Sequence, residues 1–289
     1  MNPTDLMKND FDLPHDALFA GRGELDFEKV RNRTILRRAY AKAPLRLMTP
    51  QNYGDAAWVY TSNYGGGLVD GDQIDLRLRV RSHAKAVLLT QSSTKVYRSN
   101  HLNPQGSSQT LNCQVESDAS LVVMPDPLVC FAGSKFLQCQ EFQLQDRASL
   151  LLVDTVSSGR HASGERWLFD RLKNQIRVYR GQKPLFIESL LLDSKIGDIA
   201  ARMGRFNAHS VCVLFGPDFS EFGKAIVASL ENKPNGRRSE LVCAANSIGS
   251  DGFILRMAAV SLEELETRLR DALHFLPDYL GDSPWARRF

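Results

Sequence analysis

No stretch of this sequence reaches 18 apolar residues, so no segment is long enough in apolar residues to cross a bilayer as a helix. The polar, acidic start, Met1 to Asp16, lacks a basic region followed by an apolar one, and a secretory leader is not expected. Neither sign of charge is in surplus. Lys plus Arg number 36 and Asp plus Glu 33, a net +3, too balanced for nucleic-acid binding as a main task. Cysteine is scarce and scattered: Cys113, Cys130, Cys139, Cys212 and Cys243 form no C-x-x-C pair, and their number is odd. A disulfide framework or zinc ribbon is therefore not expected, and a reducing compartment fits better. The histidines show no H-x-H, H-x-x-H or H-E-x-x-H spacing, which argues against an imidazole-rich metal centre. Internal repeats and low-complexity tracts are also missing. The expectation is a cytoplasmic protein with no nucleic-acid or membrane partner. With 289 residues, 43% hydrophobic and 24% charged, it can bury roughly three quarters of its unfolded surface without staples.

What is present is period-two patterning. Residues 1–23 read as a flexible arm of Pro, Asn and Asp, and 24–289 as a single β-rich domain. The clearest alternation is Ile74, Leu76, Leu78 and Val80, set between Asp75, Arg77, Arg79 and Arg81. Weaker runs follow at 86–90, 110–115, 120–124, 142–144, 149–153, 175–179 and 185–191, with turn residues between them. Amphipathic helices do not separate these strands, so a doubly wound sheet is not expected. The pattern predicts a mainly β fold: many short strands in a stacked, β-helix-like or sandwich-like body, with two α-helices near the C-terminus. The first helix, about 218–231, has Phe219, Phe222, Ile226 and Leu230 at helical spacing and Asp218 with Glu221 as a capping box. The second, about 261–276, has Ser261 with Glu264 as its box and Pro277 as its stop. Two strands, 239–246 and 252–260, lie between them.

Three segments hold candidate chemistry. Gly65 to Asp72 is glycine-rich, but it feeds a strand and lacks Gly-Lys-Ser/Thr, so the phosphate-loop readings fail and a tight turn is the plainer one. Thr90 to Arg98 contains Ser92 and Lys95 at S-x-x-K spacing without the downstream S-D-N or K-T-G that the penicillin-binding type requires. Asp154 to Asp170 is densest in charge, and it reads either as a salt-bridged surface loop or as a carboxylate-lined surface.

The same segments carry a resemblance. Pro44-Leu-Arg-Leu-Met, Tyr64-Gly-Gly-Gly-Leu-Val-Asp-Gly-Asp72, Leu89 to Arg98, Pro125-Asp-Pro127 with Phe131-Ala-Gly133, and Gly159-Arg160 with Gly164-Glu-Arg-Trp167 come in this order. In that order they resemble the UreD (UreH) family of urease accessory proteins, from about Leu36 to Asp193. Two positions depart from the family pattern: Asp70, where a small residue is usual, and the tail Ser283-Pro-Trp-Ala-Arg-Arg-Phe289. The resemblance implies a stack of strands with two helices and a non-enzymatic scaffold. It implies binding to UreF, to the GTPase UreG through UreF, and to apo-urease. It also implies no tightly bound cofactor, with nickel in transit through an internal polar passage. On that reading Asp70, Asp72, Asp154, Glu165 and Asp170 are candidate wall residues, with Ser93, Thr94, Lys95 and Arg160 as supporting polar groups. The rival reading is a hydrolase using Ser92 and Lys95 or the acids near Glu165.

Overall fold

The structure, a computed structural model, describes residues 20–51, 54–100, 105–231, 236 and 238–286. Two β-sheets face each other, and helices cover the outer side of one. The seven-stranded sheet has the order β14 (Lys183–Asp193), β13 (Arg171–Arg180), β11 (Lys135–Leu144), β8 (Ser107–Val115), β5 (Gln73–Val80), β1 (Ala20–Val30), β2 (Arg33–Ala41). The ten-stranded sheet has the order β16 (Leu241–Ile248), β17 (Gly252–Ala259), β15 (Ala208–Phe215), β12 (Ser149–Ser157), β9 (Ser120–Met124), β6 (Lys85–Thr90), β4 (Ala57–Asn63), β3 (Leu45–Met48). Its short strands β7 (Thr94–Val96) and β10 (Leu128–Cys130) form a side ladder onto β12. Strand pairing is parallel through the middle of each sheet and antiparallel at the edges.

The chain reaches this arrangement by coiling. From β4 to β13 successive long strands alternate between the sheets, so each pair of strands makes one turn of a flattened solenoid. The stacked body expected from the alternation is therefore present, and it is two-sided. On one side the turns are closed by three matching corners: Arg81–Ala84, Glu116–Ala119 and Gln145–Ala148. In each, the third residue is left-handed (His83 at φ 61°, Asp118 at 58°, Arg147 at 59°). The fourth is a fully buried Ala whose N–H donates to the carbonyl of the first, at 3.0, 3.1 and 3.1 Å. The backbone thus repeats where no sequence repeat was expected, because a corner needs only a turn and a small buried residue. On the other side the connections are long: 64–72, 91–106, 125–134 and 158–170.

Alternate side chains of one strand serve two cores. Between the sheets lie Leu25, Phe27, Leu76, Phe142, Leu150 and Val178. Against the helices lie Trp58, Val122, Leu151, Leu214, Leu255 and Leu265. Because β12 is buried on both faces, all nine of its residues are buried and its alternation is faint in the sequence.

Four helices occur among the described residues: α1 (Ile199–Met203), α2 (Pro217–Leu230), α3 (Leu262–Ala272) and α4 (Leu276–Leu280). Two details differ from expectation. Asp218 does not cap α2. Gly216 stands at the cap with Pro217 in the first turn, and the Asp218 carboxylate instead accepts from the hydroxyls of Ser120 and Tyr279, the latter at 2.6 Å. Pro277 does not end the last helix. α3 ends at Ala272, and Pro277 opens the separate α4, where a missing N–H costs nothing. Ser261 does cap α3, accepting from Glu264 N at 3.1 Å. At the other terminus, Ala20 to Gly23 belong to β1, and residues 1–19 of the expected arm lie outside the described residues. None of the described helices is long and apolar enough to cross a membrane.

Candidate functional site

Inward-facing positions are apolar along most of each strand but turn polar toward the side with long connections. Asp154 occupies an inward position after Leu150 and Leu152 on β12; Gln138 and Gln140 do so on β11, between Phe136 and Phe142. Strand register aligns Gln109, Gln138 and Asn174 as neighbours across β8, β11 and β13. In the facing sheet it aligns Thr61 with Thr90. A polar layer therefore lies between the two sheets.

Asp154 is at its centre. Its Oδ1 accepts from Gln138 Nε2 and Gln140 Nε2, each at 3.0 Å, and its Oδ2 accepts from Asn174 Nδ2. Burial pushes its carboxyl above the usual range. The three amide bonds oppose that shift, and the negative charge of Glu188 adds to it.

A cavity of about 40 Å³ adjoins this group, walled by Thr61, Thr90, Thr94, Asp126, Gln138 and Asp154 among others. That volume holds roughly two to three waters. A second cavity, about 30 Å³, shares Thr61, Thr90, Thr94 and Gln109 with the first and extends to Gly66, Gly67 and Ser92–Lys95. A third, about 120 Å³, shares Thr90, Pro125, Asp126 and Thr155 and extends to Glu266 and Arg270 of α3 and to Trp285. Thr90 borders all three. Its hydroxyl donates to Asp126 Oδ2 at 3.0 Å and accepts from Asp126 N at 2.7 Å. The first two cavities lie between the sheets, and the third, bordered by Tyr60, Leu89, Val153 and Leu269 of the helix-side core, lies on the helix-covered face of the ten-stranded sheet; the three share Thr90 as a wall residue.

The residues singled out in the sequence divide in two. Asp154, Ser93, Thr94 and Lys95 border these cavities. Asp70, Asp72, Glu165, Asp170 and Arg160 do not. Asp70 accepts from Asn100 N at 3.0 Å. Asp72 accepts from Val69 N at 2.9 Å and closes the turn before β5, with its carboxyl raised by burial. Glu165 pairs with Arg160, which holds its carboxyl below the usual range, and accepts from Ala132 N at 3.2 Å. Arg160 stacks 4.4 Å over the Phe131 ring, so this pair pins two loops together. Asp170 leads into β13 through its backbone bond to Ser134 O at 2.9 Å.

Ser92 and Lys95 share a cavity wall, but Lys95 lies on β7, so their S-x-x-K spacing lacks the helix start of the penicillin-binding type. Among the described residues no three His, Cys, Asp or Glu converge on a metal-sized point. Sequence reasoning missed Gln109, Gln138, Gln140 and Asn174, while Thr90 and Asp126 lay in segments it named without being picked out themselves. The available signal was a polar residue in an inward slot of an alternating strand, which only the strand register makes readable.

The family model described as "UreD urease accessory protein" matches residues 20–289. A protein named urease accessory protein UreD from Sorangium cellulosum is 46% identical over 270 residues, 93% of this chain and 85% of the relative. Urease accessory protein D of Arabidopsis thaliana is 32% identical over 91% of this chain and 99% of its own length. Urease accessory protein UreD of an Anaeromyxobacter species is 34% identical over 95% and 91%.

Proposed function

Given that the chain belongs to the UreD family of urease accessory proteins, we propose that it serves urease maturation as a scaffold and passes nickel through the polar layer between its sheets. As a scaffold it bridges apo-urease to UreF and, through UreF, to the GTPase UreG, in the cytoplasm, without turnover of its own. The observation that carries the nickel reading is the set of three cavities that share Thr90 as a wall residue. Nickel is cargo here. It needs ligands that replace part of its hydration and still let it leave. Hydroxyl, amide and carboxylate oxygens do this, whereas imidazole and thiolate hold nickel more tightly. The Glu165–Arg160 pair acts in this scheme as a loop staple, and Asp154 and Asp126 supply the negative charge along the way.

The test uses Thr90, because it borders all three of these cavities. Thr90→Met puts a larger apolar side chain into their shared wall, and Thr90→Ser keeps the hydroxyl. Co-expression with urease and its other accessory proteins at limiting nickel, at matched complex levels, should show at least threefold less nickel per urease for Thr90→Met. Thr90→Ser should stay near wild type, and UreF capture should be unchanged in both. Full nickel loading with Thr90→Met would remove the passage and leave the scaffold. Loss of UreF capture with unchanged nickel in what remains would place the residue in docking instead.

A further inference from the structure

The strand β2 is an edge of the seven-stranded sheet. It pairs with β1 on one side and, among the described residues, with no strand on the other. From Lys29 to Lys42 the chain carries six cations, Lys29, Arg31, Arg33, Arg37, Arg38 and Lys42, and no acid. An edge strand is an open row of backbone donors and acceptors, and charge of one sign along it turns away a like-charged strand. A second copy of β2 is therefore disfavoured here, and an acidic strand is favoured.

The backbone shows where such a strand can lie. Near the start of β2 the Thr34 N–H donates to the Asp55 carbonyl at 2.8 Å, so that end is covered. Just past the other end the Lys42 N–H donates to the Arg22 carbonyl at 2.8 Å, toward β1. N–H groups alternate in direction along a strand, so those of Ala39 and Ala41 point away from β1. Both alanines are exposed, and their small side chains let another backbone approach.

The side chains add a pattern. Glu24, Asp26 and Glu28 project from β1 on the face away from the core, since Leu25 and Phe27 between them are buried in it. The register sets Tyr40, Arg38 and Ile35 beside these acids. With Arg33 the row on β2 reads cation, apolar, cation, apolar, and its apolar members Ile35 and Tyr40 are each 44% exposed. Opposite charges and apolar pairs on neighbouring strands both stabilise a sheet. The β1 acids meet Arg37 and Arg38 and would repel a broad polyanion such as a nucleic acid, so a single acidic strand at the edge is the better fit.

We propose that the uncovered part of β2, from Ile35 to Ala41, is a docking edge for an extended acidic segment of a partner protein, which adds as a further strand and alternates acidic with apolar side chains on the outer face. The proposal goes beyond the nickel reading and uses nothing of the polar layer.

The full chain, with neither nickel nor another accessory protein present, is titrated into a fluorescein-labelled peptide of Glu-Thr-Val-Thr repeats, and binding is followed by fluorescence anisotropy. Wild type should bind this peptide at least tenfold more tightly than the same peptide with Lys in place of Glu. Two further peptides are methylated on alternate backbone nitrogens, one for each edge of the added strand. One of them should lose at least tenfold in affinity and the other should not. Ala39→Pro removes an N–H that points away from β1, and should weaken binding at least tenfold with a melting temperature near that of wild type. Arg33→Glu, at a residue in no ion pair among the described residues, should also weaken binding. If Ala39→Pro fails to fold, the methylated peptides carry the same test. No binding by wild type, equal binding of the Lys peptide, or equal affinity for both methylated peptides and the parent would overturn the proposal. So would an oligothymidylate that displaces the labelled peptide as readily as unlabelled peptide does. Because nickel is absent from the assay, its failure would leave the passage standing.

Discussion

At Asp154 the chain accepts a local cost. Its folded-state carboxyl lies above the usual range because it is buried, and the nearby Glu188 adds to the shift. The sign follows from linkage. A raised folded-state pKa means that the folded chain holds this proton more tightly than the unfolded chain does. The group therefore favours folding below the unfolded value of about 3.9, and that contribution is lost as pH rises toward the folded value. Asp154→Asn removes the charge and keeps the shape. Its new oxygen can still accept from Gln138 and Gln140, and its new NH₂ can donate to the Asn174 oxygen that has no partner, once that amide turns over. The variant should melt above wild type at pH 7, with the gap shrinking toward pH 4, as followed by calorimetry across that range. A variant that melts lower at pH 7 would show that the charge itself stabilises the fold. This residue was legible in the sequence as a candidate, whereas its partners were not. Glutamine and asparagine carry no charge to draw notice, and their alignment depends on a parallel register that no local pattern encodes. Glu165 shows the opposite case: conspicuous in the sequence, it is engaged by Arg160 at the surface.

Among elements, α2 shows why propensity alone misleads. Gly223 sits inside this helix, where Ala is favoured over Gly by about 1 kcal/mol. From the sequence alone, Gly223→Ala should therefore stabilise. In the fold, α2 lies so close on β17 that a Cβ at Gly223 would collide with the Phe253 ring, which is itself buried in the core between the sheet and the helices. The helix would have to move out, or the ring leave its rotamer, at a cost of roughly 1–3 kcal/mol. Gly223→Ala should lower stability in a urea titration, and a stabilised variant would show that α2 can shift freely on the sheet. Strands of the solenoid were legible because alternation reports one buried face, as at Ile74–Val80. Which sheet each strand joins was not, since alternation identifies an inner face but no neighbour. The corners at His83, Asp118 and Arg147 escaped notice for a related reason: they share a backbone shape while their side chains differ.

Over the whole molecule, the two sides of the solenoid have divided labour. Short corners with buried alanines close one side tightly. The other side spends long connections on the turns that carry the family motifs, and the polar layer and its cavities lie beneath them. Cavities of about 30 and 40 Å³ have room for a few waters or an ion and little more. The five cysteine thiols can gauge that difference. Cys113, Cys130, Cys139 and Cys212 are buried, and Cys243 is partly exposed on the edge strand β16. Burial raises all four buried thiols, to about 12 for Cys130 and Cys212. The thiolate is the reactive form, so these four are protected both by lack of access and by their protonation. With Ellman's reagent at pH 8, one thiol of the folded chain should react promptly, and Cys243→Ser should abolish that phase. The remaining four should appear only with unfolding in denaturant. Cys113 and Cys130 belong to the core between the sheets, and their rapid reaction in the folded chain would mean that this interior opens to molecules far larger than an ion. Oxygen ligands could not then discriminate what passes, and the polar layer would be a solvent-filled cleft instead of a passage for metal.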